Sequence, residues 1–356
     1  MNGSRIAPLD ALRGMAALGV AFYHYGLLAP AGARPLEGAF GWLYDVGRLA
    51  VPLFYMLSGY IFFAAYARPL EKRELNGRDF FWLRASRLYP LHLLTLVVTA
   101  GLQALALRAL GGYFFYSHND LHHFLLNLAF LQFSWFDPVM SFNGPSWSLT
   151  IEAALYLTFF AFARGFGAAA APRLAFGALC LAISTARGWL PLSGPLNVFF
   201  AEGLGCFFVG GCLELAAGRS DRFKVVSGLA LLGLGAWLLY VTDGRREATP
   251  ILFAGVVMLA LGAPPLRRAA ESPLFAWLGD ISYSTYLWHF PIEIALAVVS
   301  AALVPIAFSS VGALALYLGL TLAISTLSFR YFETPARGLV RRWAAARHPR
   351  PLAAGA

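Results

Sequence analysis

Ten apolar stretches, each broken from the next by a short polar segment, set the pattern of the chain. They lie near residues 9–29, 48–66, 88–108, 146–164, 172–190, 195–216, 223–241, 249–265, 273–299 and 304–329. Each is long enough, or nearly so, to carry a helix across about 30 Å of hydrocarbon. The pattern predicts an all-α polytopic membrane protein. An eleventh apolar piece, LHHFLLNLAFLQFSWF at 121–136, is shorter and interrupted by histidines and Asn127. The basic residues decide whether it crosses. If it does not, and the N-terminus is inside, 21 Lys and Arg face the cytoplasm and six face outward. If it does cross, the division becomes 11 inside and 16 outside. Positive residues accumulate on the inner side, so ten transmembrane helices with both termini cytoplasmic are expected, and residues 109–145 form the largest outer loop.

Composition agrees with this. Of 356 residues, 59% are apolar and 13% charged, against about 25% charged in soluble domains. The net charge of +9 follows from arginines on the inner face, so nucleic acid is not an expected partner. Cys180, Cys206 and Cys212 lie in apolar runs without a CxxC, which implies neither a disulfide framework nor a metal knuckle. No repeat or low-complexity linker divides the chain. We expect one membrane domain over 1–340 and a basic, then Ala- and Pro-rich cytoplasmic tail over 341–356. Asp10 and Arg13 interrupt the N-terminal region, so no cleaved signal peptide is expected.

The polar residues inside the apolar stretches carry the chemistry. Arg13 and His24 are eleven residues apart, about three turns plus 20°, so they share a helix face about 16 Å apart along the axis. Arg13 then sits at the inner boundary and His24 about 22 Å deep. Glu152 falls at nearly the same height as His24, about 9 Å from the outer surface, and Glu202 is close to that level. His289 lies slightly farther out, with Tyr283 and Tyr286 below it. Buried ionisable groups need partners, and a His24–Glu152 contact is the economical expectation. Arg84 and Arg87 share a face at the inner mouth and with Arg13 form an anion-binding rim, since guanidinium matches phosphate. Structural readings stand beside these: a snorkelling arginine, a histidine bonded to a neighbouring helix, topogenic arginines. A phosphate-bearing molecule with a long thin arm, such as an acyl-coenzyme A, fits the dimensions from rim to imidazole.

The motifs resemble those of the acyltransferase-3 family. LDALRG followed by His24 matches its Arg-ten residues-His spacing. VPLFYMLSGY is similar to its FFxLSG stretch, with Tyr55 where a second Phe is commoner. FWLRASRLYP, PSWSLTIEAALY, WLGDISYSTYLWHFP and RYFETP are similar to its RxxR, WSLxxE, GxxSYxxYLxH and YxExP elements, in the same order over about 9–340. The resemblance implies a bacterial inner-membrane acyltransferase. It would take an acyl group, usually acetyl, from cytoplasmic acyl-CoA and place it on a hydroxyl of a cell-surface or exported molecule, most often a glycan or glycolipid. By that analogy His24 is the catalytic base, Glu152 orients it, and Arg13, Arg84 and Arg87 bind acetyl-CoA. Ser148, Trp147, Tyr286 and His289 are candidates for substrate or oxyanion contacts. Glu202 has no family counterpart that we identify; it is either acceptor-specific or paired within the bundle. The expected partners are the donor, the acceptor and the bilayer. Many family members carry an extra hydrolase-like domain; none is expected in a chain that ends at 356, nor therefore a relay to it.

Two alternatives remain open at this level. One is acylation of a small molecule such as a macrolide or an amine. The other is a proton-coupled transporter using His24, Glu152 and Glu202, which would have no use for the arginine rim. An acyl-histidine intermediate also stays open. His118, Asp120, His122 and His123 resemble a metal cluster, but adjacent histidines cannot share one helix face; an outer-loop element facing acceptor or headgroups is expected, with no metal. Trp42, Trp135 and Trp147 fit an interfacial belt. Glu333 with Arg330 and Arg337 reads as a structural ion-pair set at the cytoplasmic end. No GxSxG, P-loop or dinucleotide motif is present.

Overall fold

The computed structural model describes residues 5–29, 31–133, 137–186, 197–242 and 248–347. Among them there are helices and no strands. The chain opens with α1 (Ala7–Tyr25), α2 (Glu37–Val46), α3 (Ala50–Phe62), α4 (Arg68–Glu71), α5 (Gly77–Leu110) and α6 (Leu121–Leu128). It continues through α7 (Trp147–Phe166), α8 (Ala170–Ala186), α9 (Val198–Glu214), α10 (Asp221–Val241), α11 (Thr249–Gly262), α12 (Pro264–Ala270), α13 (Pro273–Ala302), α14 (Val311–Ser328) and α15 (Thr334–Arg347). Side-chain caps begin several of these. Asn76 accepts from the Asp79 amide at 2.8 Å ahead of α5, and Ser310 accepts from Ala313 ahead of α14, each satisfying an amide that the first turn leaves unpaired.

Every apolar stretch expected to be a helix carries one, although residues 187–190 and 195–196 of two of them lie outside the described residues. Six continuous helical segments are long and apolar enough to cross a membrane: Glu37–Glu71, Gly77–Leu110, Gly144–Phe166, Asp221–Val241, Pro273–Ala302 and Val311–Ala346. A seventh candidate is the α11–α12 pair, bent by 84°. α1, α8 and α9, of 19, 17 and 17 residues, pack into the same bundle. α6 has eight residues, about 12 Å of helix, far short of a bilayer. Helix α15 extends the ordered fold past residue 340, where the sequence pattern places the start of a tail.

Small residues set two of the close helix contacts, as in other membrane bundles. A Cβ on Gly59 would overlap the Phe207 backbone, and one on Gly210 the Met56 backbone, so α3 and α9 touch main chain to main chain. A Cβ on Gly14 would lie 2.7 Å from Leu278, and one on Gly279 2.8 Å from Asp10. α1 and α13 therefore run parallel and close at one end, which fixes their register at the other. Around α3 an aromatic core forms: Phe62 stacks on Tyr156 with centroids 4.4 Å apart and meets Phe159 and Phe207 edge-on.

Proline inside a long helix anchors the loop that precedes α7. Pro291 has no N–H for the Leu287 carbonyl one turn back. The Asn143 amide donates to that carbonyl at 2.9 Å. This ties the 3₁₀ turn Gly144–Ser146 to the middle of α13. Beyond it, Asp120 caps α6 and accepts from the His123 ring at 2.7 Å, and His122 and His123 each reach Asp137 at 3.3 Å. Those hydrogen bonds from His123 hold the Asp120 carboxyl below its ordinary pKa. Trp135 lies outside the described residues.

Candidate active site

Two cavities lie next to each other along α1, and they share Val51 and Tyr286 as lining residues. The first encloses about 220 Å³ and is lined by Arg13, Arg84, Arg87, Glu152, Tyr156 and Arg341 among others. Two π-turns flank it, each a one-residue widening that re-aims side chains. Phe63–Ala67 carries Tyr66, whose hydroxyl accepts from Arg84 Nη2 at 2.6 Å. Phe329–Glu333 carries Glu333, which accepts from the Ser284 hydroxyl at 2.7 Å. The Arg84 guanidinium lies over the rings of Tyr66 and Phe62, 4.6 and 4.9 Å from their centroids. It is held as a plane as well as a charge.

Glu152 belongs to this cavity. The Tyr156 hydroxyl, one turn along α7, donates to its carboxylate, and its countercharges are Arg87, Arg13 and Arg84. The expected His24–Glu152 hydrogen bond is not made. Three guanidiniums in the same cavity out-compete an imidazole for the carboxylate, and Glu152 on α7 faces the α3 and α5 residues of that lining. Glu333 keeps Arg337 but not Arg330 among its countercharges and faces Arg87 first: it is buried, bonded to Ser284, and the first countercharge of Arg87.

The second cavity, about 360 Å³, is lined by His24, Arg48, Glu202, Trp147, Phe199 and Tyr116 with their neighbours. Its size is at the lower end of small-molecule sites. Trp147 and Phe199 form an aromatic wall, 4.8 Å between centroids. His24 is buried, and its Nδ1 lies 3.0 Å from the Val20 carbonyl and 3.2 Å from His289 Nε2. His289 is fully buried. Between the cavities, the Tyr286 hydroxyl donates to the Pro145 carbonyl at 2.7 Å and lies 2.8 Å from Ser148 Oγ. The tie from Asn143 to Leu287 holds Pro145 in place for both hydroxyls.

Thus Arg13, Arg84, Arg87 and Glu152 come together on one side, His24, Trp147 and Glu202 on the other, and Tyr286 and Ser148 at the junction. Sequence reasoning missed Arg341, counted among the tail's basic residues, and Arg48, counted as an outer-loop charge. The helical continuation through 334–347 was the signal for the first. For the second there was none, because only packing brings Arg48 to the cavity that Glu202 lines.

Comparison with known proteins matches the acyltransferase-3 profile, described as an acyltransferase domain, over residues 6–330. The chain belongs to the acyltransferase-3 family. Its long apolar helices and this membership together support a multi-pass membrane protein of the acyltransferase-3 family. It is 26% identical over 373 residues to peptidoglycan O-acetyltransferase OatA of Listeria monocytogenes, covering 93% of this chain. The match spans only 56% of that relative's length. It is 27% identical over 328 residues to acyltransferase MdmB of Streptomyces mycarofaciens, covering 80% of this chain and 78% of that protein. No solved structure gave a significant match.

Proposed function

We propose that the protein is an O-acetyltransferase of the bacterial inner membrane, with ten spans and both termini cytoplasmic. It would move an acetyl group from cytoplasmic acetyl-CoA to a hydroxyl of an extracytoplasmic glycan or glycolipid. The observation that carries this reading is the pair of abutting cavities on α1, one ringed by guanidiniums and the other holding an imidazole, with only Tyr286 and Val51 common to both. The relative named as a peptidoglycan O-acetyltransferase supports a glycan acceptor.

In this reading Arg13, Arg84, Arg87 and Arg341 hold the donor phosphates, and the thioester reaches the junction. The acceptor ring lies against Trp147, with Arg48 and Glu202 facing its polar edge. His24 takes the acceptor hydroxyl proton as general base. The oxygen attacks the thioester carbonyl, and Tyr286 or Ser148 swings its hydroxyl hydrogen off the Pro145 carbonyl to donate to the resulting oxyanion. The C–S bond then breaks, and the thiolate of CoA takes the proton back from His24, so no net proton is released. Glu152 acts on the donor side by offsetting the charge of the guanidinium cluster.

Purified protein given radiolabelled acetyl-CoA and a panel of glycans, macrolides and amines tests this. Label should pass to a glycan hydroxyl, and His24→Ala should abolish transfer while CoA still binds. Transfer at the wild-type rate by His24→Ala would show that the base is elsewhere. Label on the macrolide or the amine alone would replace the acceptor class.

A further inference from the structure

Two hydrogen bonds fix the protonation pattern of the buried histidine pair. His24 Nδ1 lies 3.0 Å from the Val20 carbonyl, and His289 Nδ1 lies 3.2 Å from the Thr285 carbonyl. A carbonyl oxygen only accepts, so each Nδ1 carries a hydrogen. In a neutral His289 the other nitrogen, Nε2, is then bare. That atom lies 3.2 Å from His24 Nδ1, so it accepts the same hydrogen that His24 gives to Val20, as a three-centre bond. His24 is left with its own Nε2 unprotonated.

We infer that His289 fixes the ring orientation of His24, whose tautomer the Val20 carbonyl already sets, so that Nε2 of His24 faces the acceptor hydroxyl as the base. This rests on the reading of His24 as general base and gives His289 the part that the sequence assigned to Glu152. His289 is fully buried and lines neither cavity, so it acts through His24 and is a positioning residue. Its height is set by the tight contacts of Gly14 with Leu278 and of Gly279 with Asp10, about three turns away. When His24 gains a proton at Nε2, its Nδ1 hydrogen stays shared between Val20 and His289. The His289 Nδ1 hydrogen stays donated to the Thr285 carbonyl, so the proton travels only from acceptor to His24 to thiolate.

The test compares His289→Leu with His289→Gln, whose side-chain oxygen can stand where Nε2 stands and accept the same hydrogen. His289→Leu should lower kcat about 100-fold, as expected for a mis-set base, with the KM for acetyl-CoA and the Kd of CoA unchanged. His289→Gln should recover kcat to within about tenfold. Wild-type kcat in His289→Leu overturns the inference, as does an equal loss in both variants when each still binds CoA. Nitrogen-15 NMR of histidine-labelled wild-type protein gives a reading free of any folding defect. His24 should show a protonated Nδ1 and a bare Nε2, and the opposite tautomer overturns the inference. If instead His24→Ala transfers at the wild-type rate, the base assignment fails, and the NMR tautomer still reports on the pair itself.

Discussion

Arg84 shows how one side chain is made specific by its surroundings. Its planar guanidinium is sandwiched against Phe62 and Tyr66 and donates to the Tyr66 hydroxyl. Lysine keeps the charge and loses both the stacking and the fork. Together these are worth about 1.5 kcal/mol or more. Arg84→Lys should therefore raise the KM for acetyl-CoA about tenfold with kcat nearly unchanged. Tyr66→Phe, which removes only the hydroxyl, should raise it by less. Steady-state rates against donor concentration check both. A fall in kcat at constant KM would put Arg84 at the reacting centre instead. Glu152 teaches a related lesson: the same carboxylate that depth alone places beside His24 is bonded to Tyr156 and surrounded by three arginines.

At the level of elements, the site depends on how closely α1 and α13 approach. Gly14 meets Leu278 with no room for a methyl group, and the histidine bond of 3.2 Å lies farther along the same two helices. Gly14→Ala forces them apart. It should cost about 1–3 kcal/mol of stability and lower kcat at least tenfold through the displaced imidazole, while the helical content stays unchanged by circular dichroism. Thermal unfolding followed alongside activity checks this. Full activity in a destabilised protein would show that the helix spacing does not govern the histidine pair. The α3–α9 contact is tighter still. Gly59→Val should cost about 3 kcal/mol or more, read as loss of folded protein in detergent, because backbone and not a movable side chain faces the new atoms.

For the whole molecule, the proposed site joins parts of the chain far apart in sequence. Arg341 on α15 lines the same cavity as Arg13 on α1, and its Nε donates to Ser86 on α5 at 3.3 Å. If this end of the bundle collects the donor phosphates, the KM for acetyl-CoA should rise with ionic strength. Arg341→Ala should have a higher KM at low salt and a shallower dependence on salt. An unchanged slope would remove Arg341 from donor binding. The proposed topology makes a separate prediction. In intact cells a membrane-impermeant maleimide should label Ser117→Cys, and it should label Arg222→Cys only after permeabilisation. Cys180 and Cys206 are buried and Cys212 is partly so, which keeps the background low. The reverse pattern would invert the chain in the membrane.

The sequence alone determined the helices, their order and the motif residues, because the apolar pattern and the spacing along one helix are local properties. Arg13 and His24 were legible as a pair for that reason: one helix carries both. Height was legible along a single helix, since rise per residue is fixed, but not between helices: Glu152, expected level with His24, lines the cavity of Arg13. Which neighbour each side chain faces was not legible either, because the azimuth of a helix in a bundle is set by contacts elsewhere along it. Only the tertiary structure gave Glu152 to the arginines and His289 to His24, brought Arg341 back over the inner cavity, and placed Tyr286 between the two chambers. The physical reason is the same in each case. Backbone contacts at Gly14, Gly59, Gly210 and Gly279 fix the rotation of whole helices, and the polar residues take the partners that this rotation leaves within reach.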